Sequence, residues 1–170
     1  MKVFAAGLIL FSCGAMGLLI GGSFARRVHN LQELITFVQV LESEIQFART
    51  TLPNVLGAQA KQFSGEVGAF LRTLSTRLEK GMGEPFGVIW EEGLATLAKN
   101  GLPQSALDDL QSFGTVLGTS DAAEQSKHLR ILVHRLEQAL KVADEECQKQ
   151  TRLWQYLGFS AGLLIVLLLL

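Results

Sequence analysis

The chain has 170 residues, length for one domain, with 15 Lys and Arg against 16 Asp and Glu and a formal net charge of −1. All 16 acidic residues and 14 of the basic ones fall in the 127 residues from Arg26 to Arg152, whose charged fraction of about a quarter is typical of a soluble globular domain. Near-neutrality without a basic block speaks against nucleic-acid binding, two cysteines cannot build a disulfide scaffold, and uncharged ends speak against a wholly soluble or a disordered chain.

The first element is the uncharged run of 23 residues from Val3 to Ala25. A membrane-spanning helix needs about 20 apolar residues, so residues 3–25 read as a transmembrane helix. Its rival is a cleaved signal peptide, with Ser23-Phe24-Ala25 as the cleavage site. Against that, the run exceeds the ~7–15-residue signal core, and Arg26-Arg27 directly after it resists translocation. A lipid anchor at Cys13 is disfavoured by bulky Phe11 upstream. Residues 26–152 then form the soluble part. The stretch after Arg27 places Leu31, Leu34, Val38, Leu41, Ile45 and Ala48 at spacings of three and four, a helical seam.

Helix breakers divide the middle of the chain. Pro53, Pro85 and Pro103 suit first helical turns. Ser64-Gly65 separates a helix over residues 53–62 from one bearing Val67, Phe70, Leu71, Leu74 and Leu78, which Gly81 and Gly83 end. Phe86, Ile89, Trp90, Leu94 and Leu97 line the next, terminated by Asn100-Gly101, with Trp90 as a core residue. Leu107, Leu110 and Phe113 line a fifth, ending near Gly114. Asp121 with Glu124 forms a capping box for the last, whose seam is Leu129, Val133, Leu136, Leu140, Ala143 and Cys147.

The second uncharged run, 18 residues from Leu153 to Leu170, spans a bilayer if it stands nearly upright, with Trp154 as an interface anchor. The expected fold is all-α: a six-helix cytoplasmic bundle (26–152) flanked by transmembrane helices over 3–25 and 153–170. Arg26 and Arg27 on one side and Lys149 and Arg152 on the other place the bundle in the cytoplasm and both termini outside. Gly17 with Gly21, and Gly158 with Gly162, have the four-residue spacing that lets membrane helices approach closely. Counted from the flanking arginines, both pairs fall at nearly the same depth. That predicts an antiparallel hairpin continuing into the two seams.

Catalytic constellations are missing from the pattern. His128 and His134 are six residues apart and cannot share a ligand face, and Glu124 with His128 supplies only two ligands. Glu42 and Glu44 point in different directions, so they make no acid/base dyad. There is no phosphate-binding glycine loop, nucleophile elbow or CxxC. The expectation is a non-enzymatic protein without metal, cofactor or small-molecule substrate.

Three stretches resemble the stage III sporulation protein AB family. They are Glu42-Ser43-Glu44-Ile45-Gln46-Phe47 with Thr50-Thr51-Leu52-Pro53; Phe113-Gly114-x-x-Leu117-Gly118-x-x-Asp121-x-x-x-Gln125-x-Lys127-His128; and Leu157-Gly158-Phe159 with Ala161-Gly162-Leu163-Leu164-Ile165-Val166. Thr51 replaces the family's first proline, and Asn54 stands where an acidic residue is common. The resemblance implies a component of the channel apparatus joining mother cell and forespore during endospore formation, in the mother-cell membrane at the forespore boundary. It also implies a soluble domain similar to the F-type inner-membrane platform protein of type II secretion and type IV pili. By analogy the partners would be stage III sporulation protein AA (a secretion-type ATPase), other co-encoded channel proteins, the membrane, and further copies of the chain. Asp121, Gln125, Lys127, His128, Glu42 and Glu44 are the candidate interaction surface. The competing reading of the second stretch is that Phe113, Leu117 and the two glycines shape a tight turn that the polar residues solvate. The alternative function is a two-helix membrane sensor with a helical ligand-binding domain, which would need an output module that a chain stopping at Leu170 does not offer.

Overall fold

In the computed structural model the backbone is described for residues 2–48, 52–80, 83–99, 102–117 and 122–169, and side chains for 22–47, 52–80, 83–99, 102–117, 124–154, 156–157 and 160. Six α-helices and no strand occur among them: α1 (Lys2–Ser43), α2 (Leu52–Gln62), α3 (Gly65–Glu79), α4 (Phe86–Ala98), α5 (Gln104–Val116) and α6 (Ala122–Leu169). The six helices expected from the breakers are all present. The first and last are each one unbroken helix of 42 and 48 residues, running through the sequence positions where membrane and soluble segments were expected to meet.

The chain divides into two compact units, Met1–Val28 with Val142–Leu170, and His29–Lys141. In the second unit consecutive helices pack on one another, α2 on α3, α3 on α4 and α4 on α5. The reason is short connections between amphipathic helices, each with one apolar stripe to cover. Gly65 takes φ +60°, the left-handed conformation that lets the chain reverse between α2 and α3 without a Cβ clash. Pro85 and Pro103 stand one position outside the first turns expected for them. Their carbonyls accept from Val88 at 3.0 Å and Ala106 at 3.1 Å, which starts α4 and α5.

Leu31, Leu34, Val38 and Leu41 of α1 are completely buried, as their spacing predicts. The seam stops there because Glu44–Ala48 widens into a π-helical turn, which leaves Ile45 only half-buried. On α6, Leu129, Leu136 and Ala143 are buried, but Leu132 takes the place expected of Val133, and Val133, Leu140 and Cys147 are half-buried. Exchanging Val133 for Leu132 in the seam turns the apolar stripe by one residue, about 100° at that point of the helix.

Two polar braces join α1 to α6. Glu42 Oε1 accepts from Arg130 Nε at 2.6 Å and from Ser126 Oγ at 3.4 Å, within His29–Lys141. In the other unit, Arg27 Nη1 lies 3.5 Å from Glu146 Oε2. Exposed pairs of this kind contribute about 0–1 kcal/mol each, and they orient the helices more than they stabilise them.

No helix among the described residues is long and apolar enough to cross a membrane. The predicted spans 3–25 and 153–170 fall mostly on positions whose side chains lie outside the described residues, and Gly17, Gly21, Gly158 and Gly162 are among these. Asn100, Gly101, Gly118 and Asp121, the expected capping residue, lie outside the described residues, as does the side chain of Ala48.

Candidate functional site: a groove between the last two helices

Trp90 organises the centre of the His29–Lys141 unit. It is 1% exposed, and its Nε1 donates to the Leu110 carbonyl at 2.8 Å, tying α4 to α5. Phe70 and Phe113 meet the indole edge-on, with centroids 5.2 and 5.8 Å away, and Phe86 lies tilted at 5.6 Å. These are the offset geometries favoured by aromatic quadrupoles. Gly114 makes the arrangement possible. A Cβ there would lie 2.8 Å from Trp90 Cγ and Nε1 and closer still to Cδ1. α5 ends at Val116, two residues past Gly114 and so near it as expected, and within the helix the glycine lets the indole approach the backbone rather than shaping a turn.

With α5 fixed against Trp90, its outward face is set. Asp109, Ser112, Phe113 and Val116 follow the spacing i, i+3, i+4, i+7, and so do His128, Ile131, Leu132 and Arg135 on α6. Together they line a groove of about 290 Å³ between the two helices. Phe113 and Leu132 form its buried floor, while Ile131 is 43% exposed at the rim. Arg135 Nη1 bonds Asp109 Oδ1 at 2.6 Å across it. Ser112 Oγ is turned back on its own helix, donating to the Asp108 carbonyl at 2.8 Å.

The sequence-predicted surface is distributed over three places. His128 is half-buried in the groove wall, Lys127 is exposed beside it, and Gln125 is half-buried one turn earlier. Glu42 is occupied by Arg130 and Ser126, bracing the helices, and Glu44 is half-buried in the π-helical turn. Asp121 lies outside the described residues. Sequence reasoning missed Asp109, Ser112, Val116, Ile131, Leu132 and Arg135. The matching i, i+3, i+4, i+7 sets on two neighbouring helices were the signal that could have found them.

A larger cleft of about 590 Å³ lies between α2 and α3, lined by small residues such as Gly57 and Ala60 together with Lys61, Arg72 and Glu79. Within it Ser75 Oγ donates to Glu79 Oε1 at 3.3 Å. At the edge of α3 and α4, Glu92 and then Glu84 hold the Arg77 guanidinium above its ordinary range, through a 2.6 Å hydrogen bond and a 3.6 Å ion pair. Among the described residues, no group of three or more His, Cys, Asp or Glu could hold a metal ion. His134 lies 3.0 Å from Gln138 Nε2 on its own helix.

Comparison with known proteins agrees with the resemblance carried by the motifs. The family model described as stage III sporulation protein AB matches residues 2–170. Stage III sporulation protein AB of Bacillus subtilis (strain 168) is 29% identical over 171 residues, covering 100% of this chain and 99% of that protein. A solved structure of stage III sporulation protein AB superposes with a TM-score of 0.67 at 27% identity, covering 72% of this chain and 97% of the other.

Proposed function

The chain belongs to the stage III sporulation protein AB family, a sporulation family, and from that premise we propose that it is a non-enzymatic membrane platform of the mother cell–forespore channel. The bundle hangs in the mother-cell cytoplasm between two membrane helices and docks the secretion-type ATPase stage III sporulation protein AA at the α5–α6 groove. The uncharged runs at the two ends support the membrane reading, and the cations beside them support the orientation.

One observation carries the docking reading. Phe113 and His128, from opposite halves of the second family motif, lie 15 residues apart in sequence yet line one groove. The Arg135–Asp109 pair that crosses it is internal, while its rim offers exposed Ile131. An apolar side chain of a partner can cover Ile131 and reach Phe113 and Leu132.

Co-purification of the full chain in detergent with co-produced stage III sporulation protein AA tests this. Ile131→Asp and His128→Ala should each cut recovery of the ATPase at least tenfold while the helical circular dichroism spectrum stays unchanged. Full recovery with both variants would move docking away from the groove.

A further inference from the structure

The last described part of α6 changes character within two turns. Lys149 and Arg152 are exposed, and directly after them Leu153 is 54%, Tyr156 73% and Leu157 58% exposed. All five lie on one face, within a sector of about 140° of the helix. The next polar side chain on that face is turned inward, Ser160 Oγ donating to the Tyr156 carbonyl at 2.8 Å. Such back-bonding hides a hydroxyl from an apolar surrounding. On α1, Arg26 is exposed at the corresponding junction, the last charge before the uncharged run. Its neighbour Arg27 differs, being paired with Glu146 and lying 5.7 Å over the Phe24 ring. Among the described residues, Arg26, Lys149 and Arg152 have no carboxylate partner.

We propose that Arg26, Lys149 and Arg152 form a collar that binds the phosphate headgroups of anionic phospholipids, while Leu153, Tyr156 and Leu157 lie against the acyl chains below. This rests on the reading of the two ends as membrane helices and adds to it a lipid class. The spacing fits: Lys149 and Tyr156 are seven residues apart, about 10 Å along the helix, on the scale of the headgroup layer. Tyr156, one turn past Arg152, is a residue type suited to an interface, where its ring is apolar and its hydroxyl wet. Water would leave three large apolar side chains uncovered. A neutral headgroup would leave the cations without a net counter-charge.

Trp154, half-buried about 60° around α6 from the edge of that face, reports on the collar, and Trp90, 1% exposed, is shielded from lipid. The full chain is reconstituted in phosphatidylcholine vesicles containing either brominated phosphatidylcholine or brominated phosphatidylglycerol, and quenching of tryptophan fluorescence is compared. A lipid contacting one such cation should be favoured about fivefold over its neutral counterpart. That preference should fall toward unity in K149Q/R152Q and in 1 M salt, where screening reaches ~3 Å. Equal quenching by the two lipids, or an unchanged preference in K149Q/R152Q, overturns the collar while leaving the membrane reading intact. Absence of quenching by either lipid, with no co-flotation of protein and vesicles, overturns both.

Discussion

Replacing Gly114 by alanine separates two roles a helical glycine can play. In an open helix interior the change stabilises, because alanine restricts the unfolded backbone and favours helix by about 1 kcal/mol. Here the new methyl meets Trp90 Cγ and Nε1 at 2.8 Å. The indole has little room to retreat between Phe70, Phe86 and Phe113. Retreat also breaks the 2.8 Å bond to the Leu110 carbonyl. Overpacking costs about 1–3 kcal/mol and a buried, unsatisfied indole N–H about 1–3 more. Against a propensity gain of about 1 kcal/mol, the net loss should be about 1–5 kcal/mol, lowering the melting temperature by roughly 4–25 °C for a unit of this size. Gly87 is the matched control, since its Cβ would meet only the Gly114 carbonyl oxygen at an ordinary 3.7 Å, so Gly87→Ala should be neutral or stabilising. Thermal unfolding of the full chain in detergent, followed by circular dichroism, measures both. In a Trp90→Phe background the cost of Gly114→Ala should shrink by at least about 1 kcal/mol. Wild-type stability of Gly114→Ala would refute the packing role and restore the glycine to a turn.

Asn30 is 4% exposed and its Nδ2 has no hydrogen-bond partner, so Asn30→Leu should be neutral or stabilise by about 1 kcal/mol in the same assay. A clear loss of stability would show that the amide is bonded. For topology, Lys99→Cys on the exposed end of α4, in a chain lacking Cys13 and Cys147, should resist membrane-impermeant thiol reagents in intact cells. Ready labelling would place the bundle outside and remove the basis for docking a cytoplasmic ATPase.

Local physics was enough for the class of the fold, the number of helices and the family motifs. Prolines suit helix starts and Ser64-Gly65 suits a reversal, so these breakers divided the chain close to the observed boundaries, and the leucine spacing of α1 admitted one buried stripe, through Leu41. What lies on the far side of a stripe is not local information. Leu132 and Val133 are adjacent and both continue a three-four pattern from Leu129, so only packing against α5 selected Leu132 and turned His128 and Ile131 into the groove. Glu42 looked like a free surface carboxylate until α6 brought Arg130 to it from 88 residues away. Glycine is ambiguous in the same way: the letter does not say whether the missing Cβ serves a turn or a neighbour. At Gly65 a positive φ decided it, and at Gly114 the indole of Trp90, 24 residues earlier in the chain, did.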